Sequence, residues 1–128
     1  MKPETGQLMA AARELLDEAR SIAAIGVWTQ VGRGAYSAAL QSAHAYVFER
    51  TGMVSKTHAG THASFAALTL NTPDFPPDLR GFLGRSHALT NAADYEVGPK
   101  RHVPADRAIA ALETATRFVD RIAEALAE

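Results

Sequence analysis

The sequence contains no cysteine and no long hydrophobic run. The absence of cysteine excludes disulfides, thiolate nucleophiles and zinc sites with Cys ligands. No segment approaches the ~20 apolar residues that a membrane span requires. The N-terminal segment mixes charged with apolar side chains, which is unlike the apolar core of a signal peptide. We therefore expect a soluble, cytoplasmic protein with no membrane partner.

An excess of charge of one sign is also lacking. The chain has 13 Lys and Arg against 14 Asp and Glu, for a formal net charge of -1. This balance gives no overall attraction to nucleic acid or anionic lipid, so any contact with RNA requires a local cluster of basic side chains. The 128 residues, 47% of them hydrophobic, are enough for one core. We expect a single domain over residues 1–128.

Strand-like alternation is hardly present, whereas apolar residues repeat at spacings of three and four along most of the chain. The predicted helices cover residues 5–24, 28–50, 62–70, 79–95 and 104–127. Gly26 and Gly52 are placed to end the first two helices. Gly32 and Gly34 each cost up to about 1 kcal/mol inside the second helix, a cost that close helix packing would explain. The sequence predicts an all-α, up-down bundle of about five helices.

The fourth predicted helix, over residues 79–95, bears most directly on function. Its spacing separates a polar stripe from an apolar stripe. The polar stripe consists of Arg80, Gly84, His87, Asn91 and Asp94. The apolar stripe consists of Leu79, Phe82, Leu83, Leu89 and Ala93. Periodicity alone favours a solvated helix face over a binding site for the polar stripe.

His58 and His62 are four residues apart, a spacing that on a helix can direct two imidazoles at one metal ion. Between them lie Gly60 and Thr61, which favour a helix start inside the pair, with Thr57 or Thr61 as N-cap. A metal site is therefore not predicted. Lys56, Thr57 and His58 are expected either to anchor the loop or to meet an anion at the helix start.

Three short motifs occur in a characteristic order. They are Arg33-Gly34-Ala35-Tyr36-Ser37, Lys56-Thr57-His58 and Ala93-Asp94-Tyr95. In this order, and with a final long helix, the chain closely resembles the small one-domain bacterial branch of the HEPN superfamily. The resemblance covers nearly the whole chain. It departs at Ala35, where a second Tyr is common in that branch.

The resemblance implies a HEPN-like domain of a toxin–antitoxin system, with no metal or other cofactor. It implies a homodimer, a nucleotidyltransferase-like protein partner, and a cleft at the fourth helix that binds RNA or nucleotide. The candidate cleft residues are Arg33, Tyr36, Arg85, Asn91 and Asp94. Tyr95 corresponds to a residue that can accept a nucleotidyl group in toxin members, although a Tyr at a helix end commonly serves packing.

Many members of the superfamily resemble metal-independent ribonucleases with an Arg-x₄₋₆-His or Arg-x₄-Tyr signature. In the family register, Thr90 stands at the position of the Arg and supplies no cation for a phosphate. A domain that binds RNA or nucleotide without cleaving it is therefore one hypothesis. An active ribonuclease using Arg80 or Arg85 with His87 or Tyr95 is a second. A structural dimer that binds only protein is the third.

Overall fold

The computed structural model describes residues 1–95, 97–98 and 102–128, and for residues 94 and 95 it describes only the backbone. It confirms the predicted all-α helical bundle. The helices are α1 (Pro3–Ala23), α2 (Trp28–Thr51), α3 (His58–Thr69), α4 (Pro77–Arg80), α5 (Phe82–Tyr95) and α6 (Ala105–Ala127). Within the residues described, no helix has the length and apolar character needed to cross a bilayer.

Helix α2 lies at the centre and packs against α1, α3, α5 and α6. Its inner surface is built largely from alanines with no solvent exposure, which allow neighbouring helices to approach closely. These alanines are Ala35, Ala38, Ala39, Ala43 and Ala45. Larger side chains from α3 and α6, above all Phe65 and Phe118, fill the remaining core.

The glycines of α2 mark two close approaches, as the sequence predicts. A Cβ at Gly34 would lie 3.1 Å from the Cβ of Ala19 on α1. A Cβ at Gly32 would lie 3.4 Å from a methyl carbon of Val103. The predicted ends at Gly26 and Gly52 are also confirmed, with φ angles of 74° and 72° that favour glycine.

The single helix predicted over residues 79–95 is wrong, because the segment divides at Gly81. Pro76 and Pro77 begin a separate four-residue helix, α4, which ends at Arg80. The side chain of Arg85 occupies the space that a Cβ at position 81 would need. Arg80 and His87 therefore belong to different helices rather than to one stripe.

The predicted start of the third helix between His58 and His62 is also wrong. Thr57 is the N-cap, and its side-chain oxygen accepts the backbone N–H of Gly60 at 2.9 Å. Helix α3 therefore begins at His58, so that both histidines lie on it one turn apart. Thr57 was one of the two N-caps that the sequence offered.

Candidate functional site: a histidine-lined groove

Helices α2, α3 and α5 meet around a groove of about 220 Å³. Its lining residues are Arg33, Tyr36, Ser37, His58, His87, Thr90 and Asn91. No residue in this lining, as far as the structure describes it, carries a carboxylate. The groove therefore combines hydrogen-bond donors and potential cations in one place.

The local helical spacing explains why these side chains converge. On α2, Arg33 stands three and four residues before Tyr36 and Ser37. On α5, His87 has the same relation to Thr90 and Asn91. Residues three and four apart share one face of a helix, so α2 and α5 each supply one wall. His58, the first residue of α3, completes the groove.

Tyr36 is the centre of a ring cluster. Its ring stacks on His87, with centroids 5.1 Å apart and an interplanar angle of 29°. It meets His58 and His62 edge-on at 5.7 Å and 5.9 Å. Tyr36 is buried, whereas the imidazoles of His62 and His87 are half-buried and His58 is exposed. Three histidine rings therefore contact one buried tyrosine ring.

The hydroxyl of Tyr36 forms a hydrogen bond with Nε2 of His62 at 2.9 Å. When the His62 proton is on Nδ1, Nε2 accepts the hydroxyl proton; when Nε2 is protonated, the hydroxyl oxygen accepts instead. Burial raises the pKa of Tyr36, which keeps its phenol neutral. The phenol therefore acts here as a neutral hydrogen-bonding partner for the imidazole.

The imidazoles are close enough to influence one another's charge. The ring centroid of His87 lies 6.0 Å from that of His58 and 5.6 Å from that of His62. The pKa of His62 is lowered first by burial and then by His87 and His58. Burial, followed by His58, lowers the pKa of His44 on α2 in the same way. Protonation of His62 and of His44 is therefore less favourable here than in an exposed imidazole.

Thr90 is buried and lines the groove, although it offers no cation there. Its hydroxyl donates to the backbone oxygen of His87 at 3.0 Å and to that of Ser86 at 3.4 Å. These bonds join Thr90 to the preceding turn of its own helix. Any positive charge in the groove must therefore come from other positions.

The arginines suggested by the sequence lie in three different places. Arg33 lines the groove. Arg80 instead donates to the hydroxyl of Thr69 at 3.3 Å and to the backbone oxygen of Ala66, so it joins α4 to α3. Exposed Arg85 donates to the backbone oxygen of Asp78. Of the three, only Arg33 is brought beside His87 and His58.

The remaining candidate residues divide between the groove and its surroundings. Asn91 lines the groove, whereas Lys56 is exposed in the loop before α3. The side chains of Asp94 and Tyr95 lie outside the described residues, so their candidate roles stay predictions. Across the part of the chain that is described, no three His, Asp or Glu side chains are arranged to hold a metal ion.

Sequence reasoning did not assign His62 and Ser37 to the site. The signal for His62 was present in its spacing of four from His58, but the glycine at 60 suggested that the helix began later. A stronger weight on Thr57 as N-cap would have placed both histidines on one helix.

Comparisons with protein-family models and with curated proteins assign no function to this groove. The chain matches no protein-family model. No curated protein is significantly similar to it.

Proposed function

We propose that this chain is a HEPN-like domain that binds RNA through the phosphates of its backbone, in the groove between α2, α3 and α5. The main support is the convergence of Arg33, His58 and His87 on a groove whose described lining contains no carboxylate. Contacts between phosphates and cationic side chains supply most of the affinity in nucleic-acid binding. With a net charge of -1 on the whole chain, RNA binding requires a local cluster of basic side chains of this kind.

The groove also offers groups that suit a ribonucleotide. Histidine rings can stack on unpaired bases, and the ribose 2'-hydroxyl both donates and accepts hydrogen bonds. Asn91 and Ser37 present an amide and a hydroxyl beside the imidazoles. These groups favour single-stranded RNA, whose bases and sugar edges are accessible, over a regular duplex.

Binding is tested with a labelled single-stranded RNA and fluorescence anisotropy at two salt concentrations. We expect saturable binding that weakens as salt increases, and a loss of about tenfold in Arg33→Gln, because one charge-assisted contact is removed. Arg85→Gln is the matched control, since Arg85 lies outside the groove lining. The proposal fails if the wild type does not bind, or if Arg85→Gln loses as much affinity as Arg33→Gln.

RNA cleavage is a second candidate function, and a specific observation favours it. His58 of α3 and His87 of α5 both line the groove, with ring centroids 6.0 Å apart. One imidazole could take the proton of the ribose 2'-hydroxyl while the other protonates the departing 5'-oxygen, and Arg33 could neutralise the phosphate. This arrangement replaces Arg80 or Arg85 with Arg33 and needs no cation at Thr90.

Cleavage is tested on the same RNA by gel electrophoresis in the presence of a chelator. An active enzyme should cut RNA but not its 2'-deoxy analogue, and His58→Gln and His87→Gln should each lower the rate at least about 10²-fold. His102→Gln, a change at an exposed histidine outside the groove, should leave the rate unchanged. Binding without cleavage would identify the domain as a non-catalytic RNA-binding protein.

The homodimer and the nucleotidyltransferase-type partner also belong to this proposal, as does a cytoplasmic toxin–antitoxin context. Light scattering on the purified chain measures the oligomeric state directly. A chain that remains monomeric and binds no RNA would leave a role in protein interaction as the better explanation.

A further inference from the structure

A second groove, which shares no lining residue with the histidine-lined groove, lies beside an exposed apolar turn. It has a volume of about 690 Å³ and lies between the end of α1, the start of α2 and α6. Its apolar lining consists of Ala23, Ala24, Trp28, Ile109 and Leu112, and we call it the Trp28 groove. We propose that two copies of the chain form a twofold dimer here, in which the turn of each copy occupies the Trp28 groove of the other.

The apolar lining of the Trp28 groove is an open edge of the protein core. A small core cluster includes buried Val103 and Ala108. Trp28 and Leu112 pack against this cluster but are only partly buried, and both also line the groove. Ile109 of the same lining is 43% exposed. An occupant that covers these side chains would bury apolar surface that the single chain leaves in water, which is favourable.

The turn between α1 and α2 carries the exposed apolar side chain that such an occupant needs. Ile25 is 76% exposed and directly follows Ala24 of the groove lining. The backbone N–H groups of Ile25 and Val27 donate to the backbone oxygen of Ile22 at 3.2 Å and 3.4 Å. The turn is therefore held against the end of α1 before any partner binds, which lowers the entropy that binding would cost.

The position of this turn beside the groove favours a second copy of the chain as the occupant. In a twofold dimer each copy presents the same surface, so this surface must be complementary to itself. An exposed apolar side chain next to an apolar groove meets that condition. Ile25 of one copy would enter the Trp28 groove of its partner, and the reverse contact would form at the same time.

The charges around the Trp28 groove are also compatible with a second copy. Arg20, Glu113 and Arg117 line the groove, so its edge carries both signs. The two arginines form ion pairs with exposed Asp17 and Asp78, each at 3.0 Å. An edge of one sign would repel an identical edge, whereas a mixed edge does not. The net charge of -1 likewise causes little repulsion between two whole chains.

The test measures self-association by sedimentation equilibrium. Because each copy contributes few large apolar side chains, we expect a dissociation constant of about 1–100 µM. Ile25→Asp should raise this constant at least about tenfold, since it would bury an unpaired charge in the groove. Met53→Asp is the matched control, because Met53 is 72% exposed in the loop after α2, outside this surface. It should change the constant less than about twofold.

Two further readouts locate the contact. Trp28 is the only tryptophan of the chain, and its emission should shift to shorter wavelength on dimerisation as its indole loses water. The chain also has no cysteine, so single cysteines report contacts between copies without interference. A mixture of Ile25→Cys and Ile109→Cys chains should form a mixed disulfide faster than a mixture of Met53→Cys and Ile109→Cys chains.

The outcomes separate this inference from the proposed function, with which it shares the homodimer but not the RNA-binding groove. A dimer that persists unchanged in Ile25→Asp would overturn this surface and leave the homodimer in place. Equal weakening by Met53→Asp would also overturn the assignment. A wild-type chain that stays monomeric at about 1 mM would overturn both the surface and the homodimer, whether or not the chain binds RNA. Thermal melting of each variant establishes that it is folded.

Discussion

The two sides of α2 differ in the side chains that they present to the neighbouring helices. Towards α1 and α6 the helix presents alanines and glycines, and the contacts are apolar and closely packed. Towards α3 and α5 it presents Arg33 and Tyr36, which line a groove together with exposed His58 and half-buried His87. The first side follows from apolar periodicity, whereas the second brings polar and titratable side chains together around a groove. The comparison therefore separates the residues that maintain the fold from those that are candidates for function.

The largest expected effect is on the packed side. Phe118 of α6 is fully buried and meets Phe65 edge-on, with ring centroids 5.2 Å apart. Phe118→Ala should lower the free energy of unfolding by about 3–5 kcal/mol, because it removes buried apolar contacts and leaves a cavity. Denaturant unfolding measures the change. His87→Gln should cost less than half as much, and equal losses would contradict the contrast between the two sides.

A pair of glycine substitutions sharpens the comparison further. Gly34→Val should destabilise the protein by about 1–3 kcal/mol, because a Cβ at this position already lies 3.1 Å from that of Ala19. Gly84→Ala, at an exposed position of α5, should instead stabilise the protein by up to about 1 kcal/mol, since nothing lies within 4 Å of the added Cβ. Both changes are measured by denaturant unfolding. Stabilisation by Gly34→Val would mean that α1 and α2 are not closely apposed there.

The N-cap of α3 connects stability with the groove. Thr57→Ala removes the bond to the backbone N–H of Gly60 and should cost about 1 kcal/mol of stability. Thr57→Asn retains a capping oxygen and should cost much less, which makes it the matched control. Unfolding experiments measure both variants. A negligible effect of Thr57→Ala would show that the start of α3 is maintained by tertiary contacts alone.

Some of these features could be predicted from the sequence, and others could not. The helices, and the glycine ends at 26 and 52, followed from periodicity and from the left-handed conformation that glycine allows. The break at Gly81 was missed because polar spacing continued across it, while the prolines at 76 and 77 started a separate turn. The pairing of Tyr36 with His62 spans 26 residues, and only the packing of α2 against α3 brings it about.

The smallest expected effect is on the pH dependence of stability. The pKa of His62 is lowered in the folded state by burial, by His87 and by His58, relative to about 6.5 in the unfolded chain. The unfolded state therefore binds more protons as the pH falls below 6.5, and the free energy of unfolding decreases from that point towards the lower folded pKa.

His62→Gln should reduce the slope of the free energy of unfolding against pH between pH 7 and 5, whereas His102→Gln, outside the cluster, serves as the control. His44, whose pKa is lowered in the same direction, accounts for part of the slope that remains. Unfolding curves at several pH values measure the difference, and an unchanged slope in His62→Gln would mean that the imidazole cluster does not resist protonation.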